Sequence, residues 1–316
     1  MSNDKKDKII VIVGPTASGK TGLAVDLAFR YGGEIISADS RQVYKGMDVG
    51  TGKDLGEYKR TEKGKKIKIP YYLIDLVSPK TEFNLAKYYK KAEKCLAQIL
   101  KKGKLPIIAG GTGLYAQALV EGYNLKAVKP DPEFRRRMKN LSASELYKKL
   151  EQLNPRTARK LNNSDKNNPR RLIRYLENLK KGQSVSDLDC QVDKNREFLV
   201  LALFSGEEIL KKRIYKRLKQ RIEKEGMIQE VSDLHKHKKV SWKRLKGFGL
   251  EYRYVSRYLQ GEISKEDLLN DLYIAIYQFA KRQITWLRRW ERQGREIIWA
   301  KNRQEAFRQV KEFLKK

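Results

Sequence analysis

Residues 14–21 read Gly14-Pro15-Thr16-Ala17-Ser18-Gly19-Lys20-Thr21, the G-x-x-x-x-G-K-T spacing of a phosphate-binding loop. Each part has a physical task. The glycines let backbone N–H groups turn inward around an anion. Lys20 adds a point charge on the terminal phosphates. Thr21 offers a hydroxyl to Mg²⁺, and the start of a helix adds its partial positive charge. The flanks fit the motif. Ile9-Ile10-Val11-Ile12-Val13 is an apolar, β-branched run before it, and Leu23, Ala24, Leu27 and Ala28 follow at helical spacing. The loop implies bound phosphates without saying which ones or what is done to them.

Further residues add chemistry. Asp39 follows a second apolar run, and a carboxylate there can take a proton from a nucleophile aimed at a phosphorylated substrate. It could equally orient neighbours or hold Mg²⁺ through water. No run of four apolar residues ends in the Asp of an ordinary ATPase. Leu105-Pro106-Ile107-Ile108-Ala109 ends instead in Gly110-Gly111-Thr112, with Thr112 as another hydroxyl donor. Arg213, Arg217 and Arg221 recur every fourth residue beside an apolar stripe of Leu210, Ile214, Leu218 and Ile222. Such a row is either a solvated helix face or an anion site, since the guanidinium fork suits phosphate oxygens. Residues 280–292 interleave basic residues with Trp286 and Trp290, as suits phosphate contact and base stacking, or packing of the tryptophans on a core.

The elements that must position these residues alternate. Strand-like runs at 9–13, 34–38, 72–76, 105–109, 198–204 and 296–300 are separated by helical segments, which predicts an α/β fold with a parallel sheet covered on both faces. Ligands of such sheets bind at the carboxyl ends of strands, so the 14–21 loop, Asp39 and the 110–113 loop should share one rim. The alternation breaks between 119 and 196, where the text is polar and helical. Ser142 and Glu145 form a capping box, and Asn168-Pro169 opens a helix that Gly182 closes. The expected organisation is a phosphate-loop core over 1–118 and 197–316, with a helical insertion at 119–196 whose Arg170, Arg171 and Arg174 make a basic face.

Lys and Arg number 70 against 38 Asp and Glu, a net charge of +32 that a polyanionic partner explains. Cys95 and Cys190 stand far apart, with neither zinc-site nor disulfide spacing, which fits a reducing, cytoplasmic setting. No apolar span is long enough for a membrane helix, and the first apolar run ends in a phosphate loop, not a cleavage site.

Taken together, the chain closely resembles the tRNA dimethylallyltransferase (tRNA isopentenyltransferase) family. The resemblance runs nearly end to end through Gly14–Thr21, Asp39-Ser40-x-Gln42-Val43-Tyr44, Gly46-Met47-Asp48-x-Gly50-Thr51-x-Lys53, Gly110-Gly111-Thr112-Gly113-Leu114-Tyr115, Asn168-Pro169-x-Arg171 and Ala280-Lys281-Arg282-Gln283-x-Thr285-Trp286, in family order. It implies a P-loop NTPase-like core. It also implies transfer of a dimethylallyl group from dimethylallyl diphosphate to the exocyclic amine of the adenine 3′ of the anticodon, in tRNAs reading codons that begin with U. Residues 14–21 would then hold the donor diphosphate, with Mg²⁺ on Thr21. Lys20, Thr112 and one arginine of the Arg213/Arg217 pair, Arg217 by preference, would act on the leaving group, and Asp39 would be the general base. Ser40, Arg41 and Gln42 would meet the flipped adenine. Arg135 and Pro169, Arg170, Arg171, Leu172 and Ile173 of the insertion would grip the anticodon stem-loop. Lys281, Arg282, Gln283, Thr285, Trp286 and Arg288 would grip it from the late helix. No membrane role and a monomer are expected.

The sequence departs from the family pattern in three places. Tyr71 and Tyr72 replace a usual His pair, Gly52 replaces an alanine, and the element at Gly249-Leu250-Glu251-Tyr252-Arg253 is altered. Two competing readings are an adenylate isopentenyltransferase acting on free AMP, which needs no such basic surface, and a P-loop nucleotide kinase, recognised by ATP turnover.

Overall fold

Five consecutive core residues explain the centre of the molecule. In the computed structural model, which describes residues 6–62, 64–123, 131–182 and 192–315, Ile9 to Val13 lie in strand β1 (Asp7–Val13) and are at most 1% exposed. The alternation of the strand sends Ile9, Val11 and Val13 to one face and Ile10 and Ile12 to the other. Both faces are covered, so both sets must be apolar. The remaining strands are β2 (Glu34–Ser37), β3 (Lys59–Glu62), β4 (Lys65–Lys68), β5 (Tyr71–Tyr72), β6 (Pro106–Ala109), β7 (Arg196–Leu203) and β8 (Ile298–Ala300). Six of them form one sheet in the order β5-β2-β6-β1-β7-β8, every pair parallel.

Helices α1 (Lys20–Tyr31), α2 (Leu85–Lys101) and α3 (Gly113–Val120) follow the first strands. The insertion holds α4 (Pro132–Met138), α5 (Ala143–Leu153), α6 (Pro155–Lys160), α7 (Asn163–Lys166) and α8 (Pro169–Lys180). After β7 come α9 (Glu207–Glu223), α10 (Met227–Lys236), α11 (Trp242–Phe248), α12 (Leu250–Leu259), α13 (Lys265–Arg292) and, after β8, α14 (Arg303–Lys315). α2, α3 and the end of α13 cover one face of the sheet, and α1 and α14 the other. α9 to α13 build a third apolar layer around Val43, Tyr44 and Met47.

The chain divides into two compact units. Met1–Val120 with Asp193–Lys316 form one, and Glu121–Val192 the other. The second has its own small core of Leu146, Leu150, Ala158, Leu172 and Leu176. The capping box of Ser142 and Glu145 is present, Asn168 caps α8 with Pro169 at its first turn, and Gly182 follows the helix at φ 70°. Cys190 lies outside the described residues; Cys95 is a free thiol on α2. Among the described residues no helix is long and apolar enough to cross a membrane.

The α/β class and the parallel sheet expected from the sequence are both present. Two local expectations are corrected. The run at 72–76 pairs only through Tyr71 and Tyr72, because Leu73 and Asp75 adopt positive φ (65° and 55°) and turn the chain out of the sheet. The Asp75 carboxylate is drawn to the fully buried Lys53 ammonium, which also binds Asp48 and the Tyr44 carbonyl. The β3–β4 hairpin went unseen because its residues are nearly all charged or polar and almost all exposed, so no alternating apolar pattern marks it.

Candidate active site

Sheet order assembles the site. β2, β6 and β1 are adjacent, so the segments leaving their carboxyl ends stand side by side: Asp39–Gln42, Gly110–Thr112 and the 14–21 loop. Backbone bonds fasten the rim, with Gly110 N donating to Ile12 O (3.1 Å) and Thr112 N to Ala38 O (3.1 Å). Ser40 N donates to Thr112 Oγ1 at 3.0 Å. The Asp39 Oδ1 accepts from Arg41 N (2.8 Å) and, more weakly, Gln42 N (3.4 Å). Among the described residues nothing bonds its other oxygen, which leaves that atom available as a proton acceptor.

Gln283 of α13 braces the rim from behind. Its amide accepts from Thr16 N (2.8 Å) and donates to Gly111 O (2.7 Å), joining the phosphate loop to the loop after β6. Two neighbours on the same helix anchor it. Trp290 is 1% exposed in the core. The Trp286 ring lies so close to Gly113 that a Cβ there would stand 2.4 Å from it, which is why glycine follows Thr112.

Two cavities adjoin this rim. One, of about 280 Å³, is lined by Thr16, Lys20, Thr21, Asp39–Gln42, Gly110–Thr112, Arg217 and Arg221, with walls from Phe248–Tyr252 and Phe279. The other, of about 570 Å³, is lined by Ala17, Gly19, Asp48, Val49, Lys53, Glu57 and Arg213 among others. Lys20, Thr21, Gly52, Arg217 and Arg221 belong to both, so the cavities share a cationic boundary. The arginine row of α9 resolves along its length: Arg213 is exposed, Arg217 half-buried and Arg221 buried. Arg213 donates to the Ser18 carbonyl (3.3 Å), on the second cavity only.

The electrostatics follow from burial. Desolvation pulls Lys20 down to about 8, with Asp39 opposing and Arg217 adding to the fall. Burial and then Arg217 lower Arg221 to about 10, so it stays charged at neutral pH. Glu251, 3.9 Å from Arg221, is pushed up by burial and pulled back by that arginine. Three cations thus face the boundary with Asp39, Glu57 and Glu251 as nearby carboxylates, an arrangement that gains from an incoming anion.

The remaining expected residues scatter. Gly14, Pro15 and Ser18 are buried in the loop. Lys281, Arg282, Thr285 and Arg288 lie on the exposed side of α13, with Arg288 over the Trp299 ring at 4.5 Å. In the insertion, Pro169, Arg170 and Arg171 are exposed, with Arg171 paired to Asp165, and Arg135 forms a two-pronged bond to Glu177 (2.7 Å each). Leu172 is 0% exposed and Ile173 packs on the same cluster. That corrects the expectation for Leu172, which holds α8 in place and has no surface for RNA. Tyr72 bonds Glu34 and Lys102 at the sheet edge and lines neither cavity. The altered 249–252 element, by contrast, forms cavity wall. Sequence reasoning missed Phe248, Glu251 and Tyr252 there; their only signal was proximity to a departure from the family pattern.

The IPP transferase family model matches residues 42–290, and an isopentenyl transferase model matches residues 7–67. The chain belongs to the IPP transferase family. It is 40% identical over 307 residues to tRNA dimethylallyltransferase 1 of Geotalea uraniireducens, covering 97% of each chain. It is 43% identical over 303 residues to tRNA dimethylallyltransferase 2 of Treponema denticola, covering 95% of this chain and 97% of that one. Among solved structures, the full-length tRNA isopentenylpyrophosphate transferase of Bacillus halodurans superposes with a TM-score of 0.67 at 29% identity, covering 98% and 97%. A eukaryotic dimethylallyltransferase acting on tRNA superposes with a TM-score of 0.73 at 27% identity, covering 89% of this chain and 70% of that one. With these IPP transferases as relatives, the shared boundary of the two cavities is the place where their chemistry must be sought.

Gln283→Leu tests the brace. Leaving Thr16 N–H and the Gly111 carbonyl unpaired should cost about 1–3 kcal/mol of stability. Turnover should fall while RNA affinity, measured by filter binding, stays near the wild-type value; a selective loss of RNA binding would make Gln283 an RNA contact instead.

Proposed function

We propose that this chain transfers a dimethylallyl group from dimethylallyl diphosphate to the N6 amine of the adenine 3′ of the anticodon, in tRNAs reading codons that begin with U. The observation that carries the reading is the boundary of Lys20, Thr21, Arg217 and Arg221 between a cavity holding Asp39 and a second, larger one. A diphosphate on that boundary presents its ester carbon to a base beside Asp39. The base must leave its stack to get there, and Phe248 and Phe279 offer it aromatic walls.

In the reaction the N6–C bond forms as the C–O bond to diphosphate breaks. The N6 proton passes to Asp39, and the electron pair of the broken bond stays on the diphosphate. Lys20, Arg217 and the Thr112 hydroxyl stabilise that growing charge in a site shielded from water. Thr21 would hold Mg²⁺. Among the described residues no cluster of three or more His, Cys, Asp or Glu could hold a metal, which fits an ion bound mainly by substrate phosphates. When bound it would neutralise charge on the leaving diphosphate. The exposed basic rows on α13 and α8 would each contact phosphates of the anticodon stem-loop, with the chain acting as a monomer. These rows favour tRNA over free AMP as acceptor.

The direct test incubates the protein with bulk tRNA, Mg²⁺ and dimethylallyl diphosphate, and looks for prenylated adenosine by nucleoside mass spectrometry. Efficient prenylation of AMP with no gain from a stem-loop would move the chain to the free-nucleotide class. Tight ATP binding and tRNA-stimulated hydrolysis, unopposed by the prenyl diphosphate, would make it an ATPase. Asp39→Asn should keep the fold and tRNA binding but lose about 10²–10⁴ in single-turnover rate, whereas a near-normal rate would remove Asp39 from the role. Log K for tRNA against log salt should slope by roughly −0.7 to −0.9 per phosphate neutralised. Replacing Lys281, Arg282 and Arg288 together should flatten it by up to about three such steps and raise the KM for tRNA, leaving donor binding nearly unchanged.

A further inference from the structure

Three consecutive backbone amides converge on one carboxylate beside the cationic boundary. Glu230, on α10, accepts from Asp48 N (2.7 Å) and Val49 N (2.6 Å) through Oε2. Through Oε1 it accepts from Gly50 N (3.1 Å) and the Tyr252 hydroxyl (2.7 Å). Successive N–H groups pointing into one concavity make an anion-binding nest, and here the anion is the protein's own. Tyr252 is 2% exposed and belongs to the cavity wall, so the carboxylate ties the 48–50 turn to that wall.

The turn carries a consequence two residues on. Gly52 has φ 67°, and its carbonyl accepts from Gln42 Nε2 at 3.4 Å. A Cβ built on Gly52 would stand 2.0 Å from an Arg217 nitrogen and 2.2 Å from an Arg221 nitrogen. Both guanidinium groups therefore rest against the bare backbone of this turn. Like charges this close separate unless something fixes the surface they lean on. The buried Lys53 ammonium, just past the turn, reaches back to Asp48 Oδ1 (2.9 Å) and closes it. Glu230 holds the three amides of Asp48, Val49 and Gly50.

We propose that Glu230 is a positioning residue for the donor: its carboxylate fixes the 48–52 turn, and the turn fixes where Arg217 and Arg221 meet the diphosphate. The inference rests on the prenyl-transfer reading above. Glu230 touches no substrate in it; it acts through the turn and the two arginines, and through Tyr252 on the cavity wall.

The test is steady-state kinetics with dimethylallyl diphosphate and tRNA, alongside thermal melting. Wild-type activity with this donor is established first, so that its absence counts against the reading of function and not against Glu230. Glu230→Gln keeps the size of the side chain but turns an NH₂ toward the amides. It should raise the KM for the donor about tenfold or more, as loss of binding predicts, and move the KM for tRNA less than about twofold. Tyr252→Phe removes one of the four bonds and should give a smaller rise of the same kind. Sodium formate added to Glu230→Ala should restore donor KM by refilling the nest. A fall in melting temperature with both KM values unchanged, or a folded Glu230→Gln enzyme with wild-type donor KM, would overturn the proposal. If Glu230→Gln does not fold, Tyr252→Phe decides it alone.

Discussion

Everything at the site depends on holding like charges together before a ligand arrives. Lys20, Arg217 and Arg221 crowd one boundary, with burial opposing the ionised form of Lys20 and of Arg221. Water screens such a cluster fully on the surface; at this partly buried boundary protein groups must supply much of the compensation. The fold supplies fixed partners on every side. Pro15 O accepts from Lys20 Nζ at 3.0 Å, Glu251 lies beside Arg221, and the bare backbone of Gly52 lets both arginines approach. The cluster is thus pre-organised, and an incoming anion would relieve an existing repulsion instead of requiring a new arrangement.

The rest of the architecture serves that boundary. The parallel sheet brings three loops to one edge, because β6 lies between β1 and β2 although it follows both in sequence. The helical layer of α9 to α13 then closes over the edge, delivering the arginines on α9, the carboxylate on α12 and the bracing amide on α13. Chemistry that the sheet alone could only begin is completed by helices from the second half of the chain.

The parts legible in the sequence were those encoded locally. The 14–21 loop is a contiguous motif, and β1 announces itself by five apolar residues in a row. Asp39 was found because its place at a strand end fixes its surroundings. What stayed hidden depended on distant contacts. The arginine row has uniform spacing, yet the helix packs so that one member is exposed and another buried, and nothing in the spacing distinguishes Arg213 from Arg221. Glu230 meets its turn across some 180 residues. The run at 72–76 reads as a strand, but Leu73 and Asp75 take positive φ, and the Asp75 carboxylate meets the buried Lys53 instead.

Helix α13 joins inside and outside with a rigidity that has its own consequence. Ala280, Gln283, Leu287 and Trp290 form one buried stripe, while Lys281, Arg282 and Arg288 occupy the other side. Each residue advances the helix by about 100°. A single residue gained or lost between Gln283 and Trp290 would turn one anchor a quarter-circle or more away from the other, and carry the basic side chains round with it. This stretch can therefore change in composition but not in length. Its spacing acts as a gauge that sets the angular offset between the outer basic row and the two loops within.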